Sequence, residues 1–177
     1  MITSNDTLFC TVLACERGIS LKRLTYSMYL FQLGHFDFDF RYKLTSGLVK
    51  SKGVSELVNS YLNNGILNTD NSNNLITSEL GFTCLNQLPL CQSEVDFTNY
   101  ILGILNDLTT EELHFIVLTD ILINKTILAY GVDSLVSKRS SIEDTLKELT
   151  TEFTTDNFNG AVALLSKIKE GVLNYER

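Results

Sequence analysis

Two aspartates in an alternating segment are the residues best placed for acid–base or metal chemistry. Asp37 and Asp39 alternate with phenylalanines in the run FDFDF, so an extended strand would place both carboxylates on one face. Two such carboxylates can bind a divalent cation or form an acid and base pair. However, no third ligand lies close in sequence, and an edge strand needs polar residues on its solvated face. We therefore interpret the pair as the solvated face of a strand over residues 36–40.

The histidines and cysteines form no recognisable catalytic or metal-binding pattern. Neither His35 nor His114 has an H-x-x-x-H or H-E-x-x-H neighbour, so both are predicted to be structural. The four cysteines lie among apolar residues without a C-x-x-C pair, which favours reduced core thiols over zinc ligands or disulfides. They are Cys10, Cys15, Cys84 and Cys91. A small hydrolase using Cys10 or Cys15 with His35 is a further hypothesis, although no third catalytic group is evident.

Motifs that cradle phosphates or present a nucleophile are also missing from the sequence. There is no G-x-x-x-x-G-K-[ST], G-x-G-x-x-G or G-x-S-x-G. We therefore expect a protein without catalytic residues, cofactor or metal, which acts by binding partners. The 177 residues, 44% hydrophobic and 20% charged, suffice for one core with a helical extension.

The charge is distributed unevenly along the chain. The net charge is −7, yet residues 17–52 contain seven lysines and arginines against two acids. Residues 53–124 contain nine acids and no lysine or arginine. Such asymmetry indicates two surfaces with different partners, or two ordinary solvated surfaces.

The elements that position these residues follow the order of a winged helix-turn-helix domain. Hydrophobic spacing predicts helices over residues 7–17 and 21–33, the second capped by Ser20, and then the strand over residues 36–40. A short helix over residues 45–52 follows, and then a longer one after Gly53 that the run Asn63-Asn64-Gly65 ends. A hairpin over residues 66–76 and a helix capped by Thr77 or Ser78 complete the pattern.

The second half of the chain is predicted to be a helical extension. Pro89 marks the boundary, giving a winged-helix-like domain at residues 1–88 and an extension at 89–177. Thr109 with Glu112 forms a capping box that predicts a helix start, and Ser140 with Glu143 predicts a second. The fold class is thus mainly α, with a small β-wing.

Apolar stripes in the extension can pack on the chain itself or cover a partner. The candidate protein-interface residues are Leu146, Leu149, Phe153, Val162, Leu165 and Ile168. The candidate nucleic-acid contacts are Arg41, Lys43, Lys50 and Lys52. Because the start of the chain lacks a signal-peptide pattern and no segment is apolar throughout a membrane span, we expect a soluble cytoplasmic protein without membrane contact.

Three segments resemble a known family of bacterial proteins. They are the run from Lys22 to Phe31, the run from Phe38 to Tyr42, and the wing ending in Leu75 to Gly81. Together they resemble the YwgA-like winged-helix family. They are also similar to small accessory subunits that accompany SMC-type or other ABC-class ATPases in bacterial defence systems such as Lamassu.

This resemblance covers about residues 5–125 and carries over no catalytic residue. It implies a non-catalytic subunit that bridges a larger ATPase and an effector nuclease in an antiphage or antiplasmid complex. DNA would then be bound only weakly, or through the complex.

The alternative function is a winged-helix transcriptional regulator that contacts DNA with the helix before the wing. Lys50 and Lys52 would lie on that helix, with Arg41 and Lys43 near the phosphates. The wing argues against this function, since residues 69–74 contain no lysine or arginine and one acid, Asp70.

Overall fold

The computed structural model describes residues 4–34, 39–87 and 92–175. It is mainly helical, with eight α-helices and two two-stranded antiparallel sheets in those ranges, which confirms the mainly α class. In the first half the elements are α1 (Ser4–Cys15), α2 (Leu21–Leu33), β1 (Tyr42–Thr45), β2 (Leu48–Ser51), α3 (Lys52–Asn63), β3 (Leu67–Thr69), β4 (Leu75–Thr77) and α4 (Glu79–Asn86). In the second half they are α5 (Gln92–Asn106), α6 (Thr110–Tyr130), α7 (Leu135–Leu149) and α8 (Thr155–Tyr175), with a 3-10 turn at Val132–Ser134.

Hydroxyl side chains fix the starts of the helices. Ser20 accepts a hydrogen bond from the Arg23 amide and begins α2, and Ser78 caps α4 in the same way through the Gly81 amide. Thr109 and Glu112 form both bonds of the predicted capping box at α6. These three predicted starts are confirmed.

Two central helices, α2 and α6, carry the core. Residues 24–31 of α2 and 113–120 of α6 are buried, and α6 packs against α2, α7 and α8. α6 is also the one helix among the described residues that is long and apolar enough to cross a membrane. Residues 113–120 of α6 are buried among neighbouring helices, and this burial is consistent with a core helix of a soluble protein.

The segment between α2 and α3 differs from the sequence prediction. Asp39 and Phe40 lie outside any strand, and residues 35–38 are outside the described residues. The helix predicted over residues 45–52 is wrong, because this segment forms the hairpin β1–β2. Ser46 and Gly47 make its two-residue turn with φ of 51° and 76°, and positive φ at both positions is what a type I′ turn requires.

A second hairpin, β3–β4, occupies the predicted position of the wing. Leu67 pairs with Thr77 and Thr69 with Leu75, and Ile19, just before α2, forms a bridge to Leu75. At the turn, Asp70 accepts hydrogen bonds from the amides of residues 72 and 74. The prediction of this hairpin is confirmed.

The helix start predicted at Ser140 is wrong. Helix α7 already begins at Leu135, so Ser140 and Glu143 lie in its interior. Glu143 instead pairs with Arg139 one turn earlier, with 2.7 Å between nitrogen and oxygen. Ile142 and Leu146 face the core on the same helix.

Candidate functional site

The structure describes only some of the residues that were considered for chemistry. Asp39 is exposed, while Asp37, His35 and Cys91 are outside the described residues. Among the residues that the structure describes, no group of three His, Cys, Asp or Glu side chains is arranged to hold a metal ion. Cys10 is buried, and burial, followed by the nearby Asp6 charge, raises the pKa of its thiol to about 12. A thiol with so high a pKa stays protonated and is a poor nucleophile at neutral pH.

His114 anchors the β1–β2 hairpin to α6. Its ring stacks on Tyr26, and its Nε2 lies 2.9 Å from the Gly47 carbonyl oxygen in the hairpin turn. A carbonyl only accepts hydrogen bonds, so Nε2 carries the proton. Burial lowers the pKa of His114 below its ordinary 6.5, so the neutral ring is favoured.

Asp120 joins three helices in the interior. This carboxylate is buried on α6 and accepts hydrogen bonds from the Tyr29 hydroxyl at 2.7 Å and the Asn124 amide at 2.9 Å. The Lys169 ammonium of α8 lies 2.6 Å away and reaches solvent. Burial, followed by the Asp120 charge, raises the pKa of Tyr29 above its usual range, so the hydroxyl remains a donor.

Arg23 ties the two halves of the chain together. Its Nε donates to Glu16 at 2.8 Å, and its two terminal nitrogens donate to the carbonyls of Leu108 and Leu105 at 2.8 and 2.6 Å. The Arg23 side chain thus satisfies one carbonyl in the last turn of α5 and one in the loop that follows it. These buried or half-buried ionic groups therefore have structural partners.

The four candidate nucleic-acid residues lie on the β1–β2 hairpin or immediately next to it. Lys43 lies directly opposite Lys50, while Arg41 immediately precedes β1 and Lys52 immediately follows β2. All four side chains are exposed. Lys50 is on β2 rather than on the helix before the wing, and Lys52 begins α3, where it pairs with Glu56 at 3.3 Å. We call these four residues the basic hairpin face.

The exposed side of α3 and the β3–β4 turn carry little positive charge. Beyond Lys52, exposed residues of α3 include Glu56, Asn59 and Asn63. In the turn, the backbone hydrogen bond from Asn74 lowers the pKa of Asp70, which keeps this carboxylate ionised. A helix and wing of this kind offer few contacts to duplex phosphates.

The six candidate interface residues are covered mainly by the chain itself. Leu146, Leu165 and Ile168 are buried. Leu149, Phe153 and Val162 are half-buried and pack against the core, with Leu149 beside the hairpin turn at Gly47.

The exposed apolar surface lies instead at the corner between α6 and α7. Leu128, Tyr130, Val132 and Val136 are exposed by 87%, 64%, 65% and 89%. We call these four residues the apolar corner. Beside it, a groove of about 220 Å³ is lined by Val136, the half-buried Val162 and other apolar side chains of α6, α7 and α8. The sequence holds a signal for this surface, since the apolar residues of LAYGVDSLV continue through a turn that breaks the helical period.

Comparisons with known proteins give no relative for this arrangement: no protein-family model, no curated protein and no solved structure matches the chain.

Proposed function

We propose that this chain is a non-catalytic accessory subunit of a bacterial defence complex, where it bridges an SMC-type or other ABC-class ATPase and an effector nuclease. The main evidence for a binding role is the exposed apolar corner. Valine and leucine side chains that are almost wholly exposed gain free energy when a partner removes them from water. Contiguous apolar surface on a soluble protein commonly marks an interaction site. The resemblance supplies the identity of the partners and a cytoplasmic location.

The order of elements supports a winged-helix framework for this subunit. Helix α1, the Ile19 bridge, α2, α3 and the hairpin β3–β4 follow the helix, strand, helix, helix and wing of that fold. The basic hairpin is then an insertion between the second and third helices. In this proposal, the helices after residue 91 present the apolar corner at the side of the framework.

Affinity capture of the tagged chain from its native cells tests the bridging role. The wild-type protein is expected to capture a large ATPase, identified by mass spectrometry. Leu128→Glu with Val136→Glu places two charges in the apolar corner and is expected to abolish capture without changing the circular dichroism spectrum. The matched control, Asn59→Glu on the exposed side of α3, should leave capture intact. Capture of no ATPase by the wild-type chain, or equal capture by the corner variant, contradicts the proposal.

The alternative function, a DNA-binding regulator, has one supporting observation, the winged-helix order. It predicts submicromolar, sequence-selective binding to duplex DNA at physiological salt and an upstream promoter that responds to deletion of the gene. The neutral and acidic surface of α3 and the β3–β4 turn favours weak binding instead, with dissociation constants near 10⁻⁴–10⁻⁶ M and no sequence preference. A gel-shift titration on operator and scrambled duplexes separates the two functions.

A further inference from the structure

We propose that the basic hairpin face and the pocket beside it bind single-stranded nucleic acid, with phosphates on the lysines and one base in the pocket. This inference goes beyond the bridging role and does not depend on it.

The arrangement of the cations is the first observation. Like charges directly opposite each other on an antiparallel pair destabilise it, and Lys43 faces Lys50 in this way. Among the side chains that the structure describes, no acidic one lies within ion-pair distance of Arg41, Lys43 or Lys50. An anion placed over this face would relieve the repulsion. A chain of phosphates supplies such charges at regular intervals.

The hairpin presents these cations on a fixed support. Its inner face holds the buried Val49 and Ser51, and the Tyr42 ring packs edge-on against Tyr29 with 4.9 Å between ring centres. The Gly47–His114 hydrogen bond holds its turn. Because the backbone is already ordered, binding loses little conformational entropy beyond that of the lysine side chains.

The adjoining pocket is the second observation. It has a volume of about 260 Å³ and lies between the first turn of α2 and strand β2. Its wall includes Leu21 and Leu48, which are 41% and 40% exposed, and Lys22 and Lys50 also line it. Tyr26 lines the same pocket. An apolar pocket with lysines in its lining fits a flat, uncharged group attached to an anion, and a nucleotide has this composition.

Tyr26, one of the residues that line this pocket, carries a buried hydroxyl without a partner. The tyrosine is fully buried, and its hydroxyl has no hydrogen-bond partner among the described residues. Burial raises the pKa of Tyr26 to about 12, so the hydroxyl is neutral and can both donate and accept. An unsatisfied buried hydroxyl costs free energy, and a ligand that enters the pocket and reaches this hydroxyl would recover it.

A single strand fits this site better than a duplex. The pocket is small, and only a base outside a stacked and paired helix can enter it. The groove-reading elements of a winged helix, α3 and the β3–β4 turn, carry Glu56 and Asp70 near their exposed surfaces. The net charge of −7 further restricts favourable phosphate contacts to a local basic region.

Fluorescence anisotropy with three nucleic-acid probes tests the proposal. The probes are a 20-nucleotide oligothymidylate, an abasic oligonucleotide with the same number of phosphates, and a 20-base-pair duplex. We expect oligothymidylate to bind at least about fivefold more tightly than either other probe. Lys43→Glu is the decisive variant, because it turns the repulsive pair with Lys50 into an attractive one and so preserves the fold. It should weaken oligothymidylate binding at least tenfold. It should also reduce the slope of log K against log salt by about 1.4, since two phosphate contacts at about 0.7 each are lost.

Lys125→Glu on α6 is the matched control, because Lys125 is exposed and the change in net charge is the same. It should change affinity by less than about twofold, as expected for a charge outside the contact region. Equal losses in the two variants would show a general charge effect and overturn the proposed site. Equal binding of the abasic probe overturns the base pocket, and tighter binding of the duplex overturns the choice of a single strand.

Discussion

Replacing Asp120 by alanine tests whether one buried carboxylate holds α2, α6 and α8 together. The change leaves the Tyr29 hydroxyl without its acceptor inside the core, which costs about 1–3 kcal/mol. The Lys169 side chain is 43% exposed, so its released ammonium is hydrated, and the lost ion pair adds only about 0–1 kcal/mol. We therefore expect Asp120→Ala to lower the free energy of unfolding by about 1–4 kcal/mol. For a chain of this length this corresponds to a fall in Tm of roughly 2–16 °C.

Urea denaturation followed by circular dichroism measures this loss. Asp120→Asn retains an acceptor oxygen for Tyr29 and should cost only about 1 kcal/mol. The control is Asp144→Ala, which removes an exposed pair with Lys147 and should cost less than about 0.5 kcal/mol. A loss below about 1 kcal/mol for Asp120→Ala, or one no larger than the control, would refute the reasoning.

Two further predictions concern the other buried polar contacts. Arg23→Lys cannot span Glu16 and two carbonyls with one ammonium, so it should cost about 1–3 kcal/mol in the same denaturation assay, and an unchanged midpoint would contradict this. The pKa of the His114 ring is lower in the folded than in the unfolded chain, so the unfolded chain takes up a proton first as the pH falls. The contribution of His114 to the free energy of unfolding is therefore complete above pH 6.5 and declines below that value. The free energy of unfolding of His114→Gln should depend less steeply on pH between 7.5 and 5, and identical slopes for variant and wild type would rule out this role.

Local capping and turn chemistry predicted much of the fold. Thr109, Ser20 and Ser78 begin their helices as expected because each signal needs only residues within one turn. The same locality made Ser140 misleading: its capping box is present in sequence, but a helix that already continues from Leu135 leaves no free amides there to cap.

The β1–β2 hairpin was missed although its signals were present. The Ser46–Gly47 dipeptide is typical of a turn, and Tyr42 and Leu44 alternate with polar residues as in a strand. A few apolar residues, such as Leu48 and Val49, cannot distinguish the period of a short helix from that of a strand. The sequence identifies the basic residues. The pairing of Lys43 with Lys50 across two strands depends on the hairpin register, so it could not be predicted once the hairpin was missed.

The interface residues show a different limit of sequence reasoning. Leu146 and Leu165 belong to apolar stripes that predict burial, and the structure shows that the chain's own helices cover them. Leu128 and Val136 belong to equally apolar segments and remain exposed. Periodicity identifies a helix face that avoids water, but which neighbouring element covers that face depends on tertiary packing.

The complete burial of residues 24–31 in α2 has a consequence for how the chain is made. During synthesis α2 leaves the ribosome long before α6, and the Tyr29–Asp120 contact joins residues 91 positions apart. Until α6 is available, a helix that is buried around most of its circumference in the folded protein has no complete cover, and such intermediates aggregate easily. Contacts this distant in sequence also slow folding. The nascent chain is therefore expected to depend on chaperones that shield α2 until translation has delivered its packing partner.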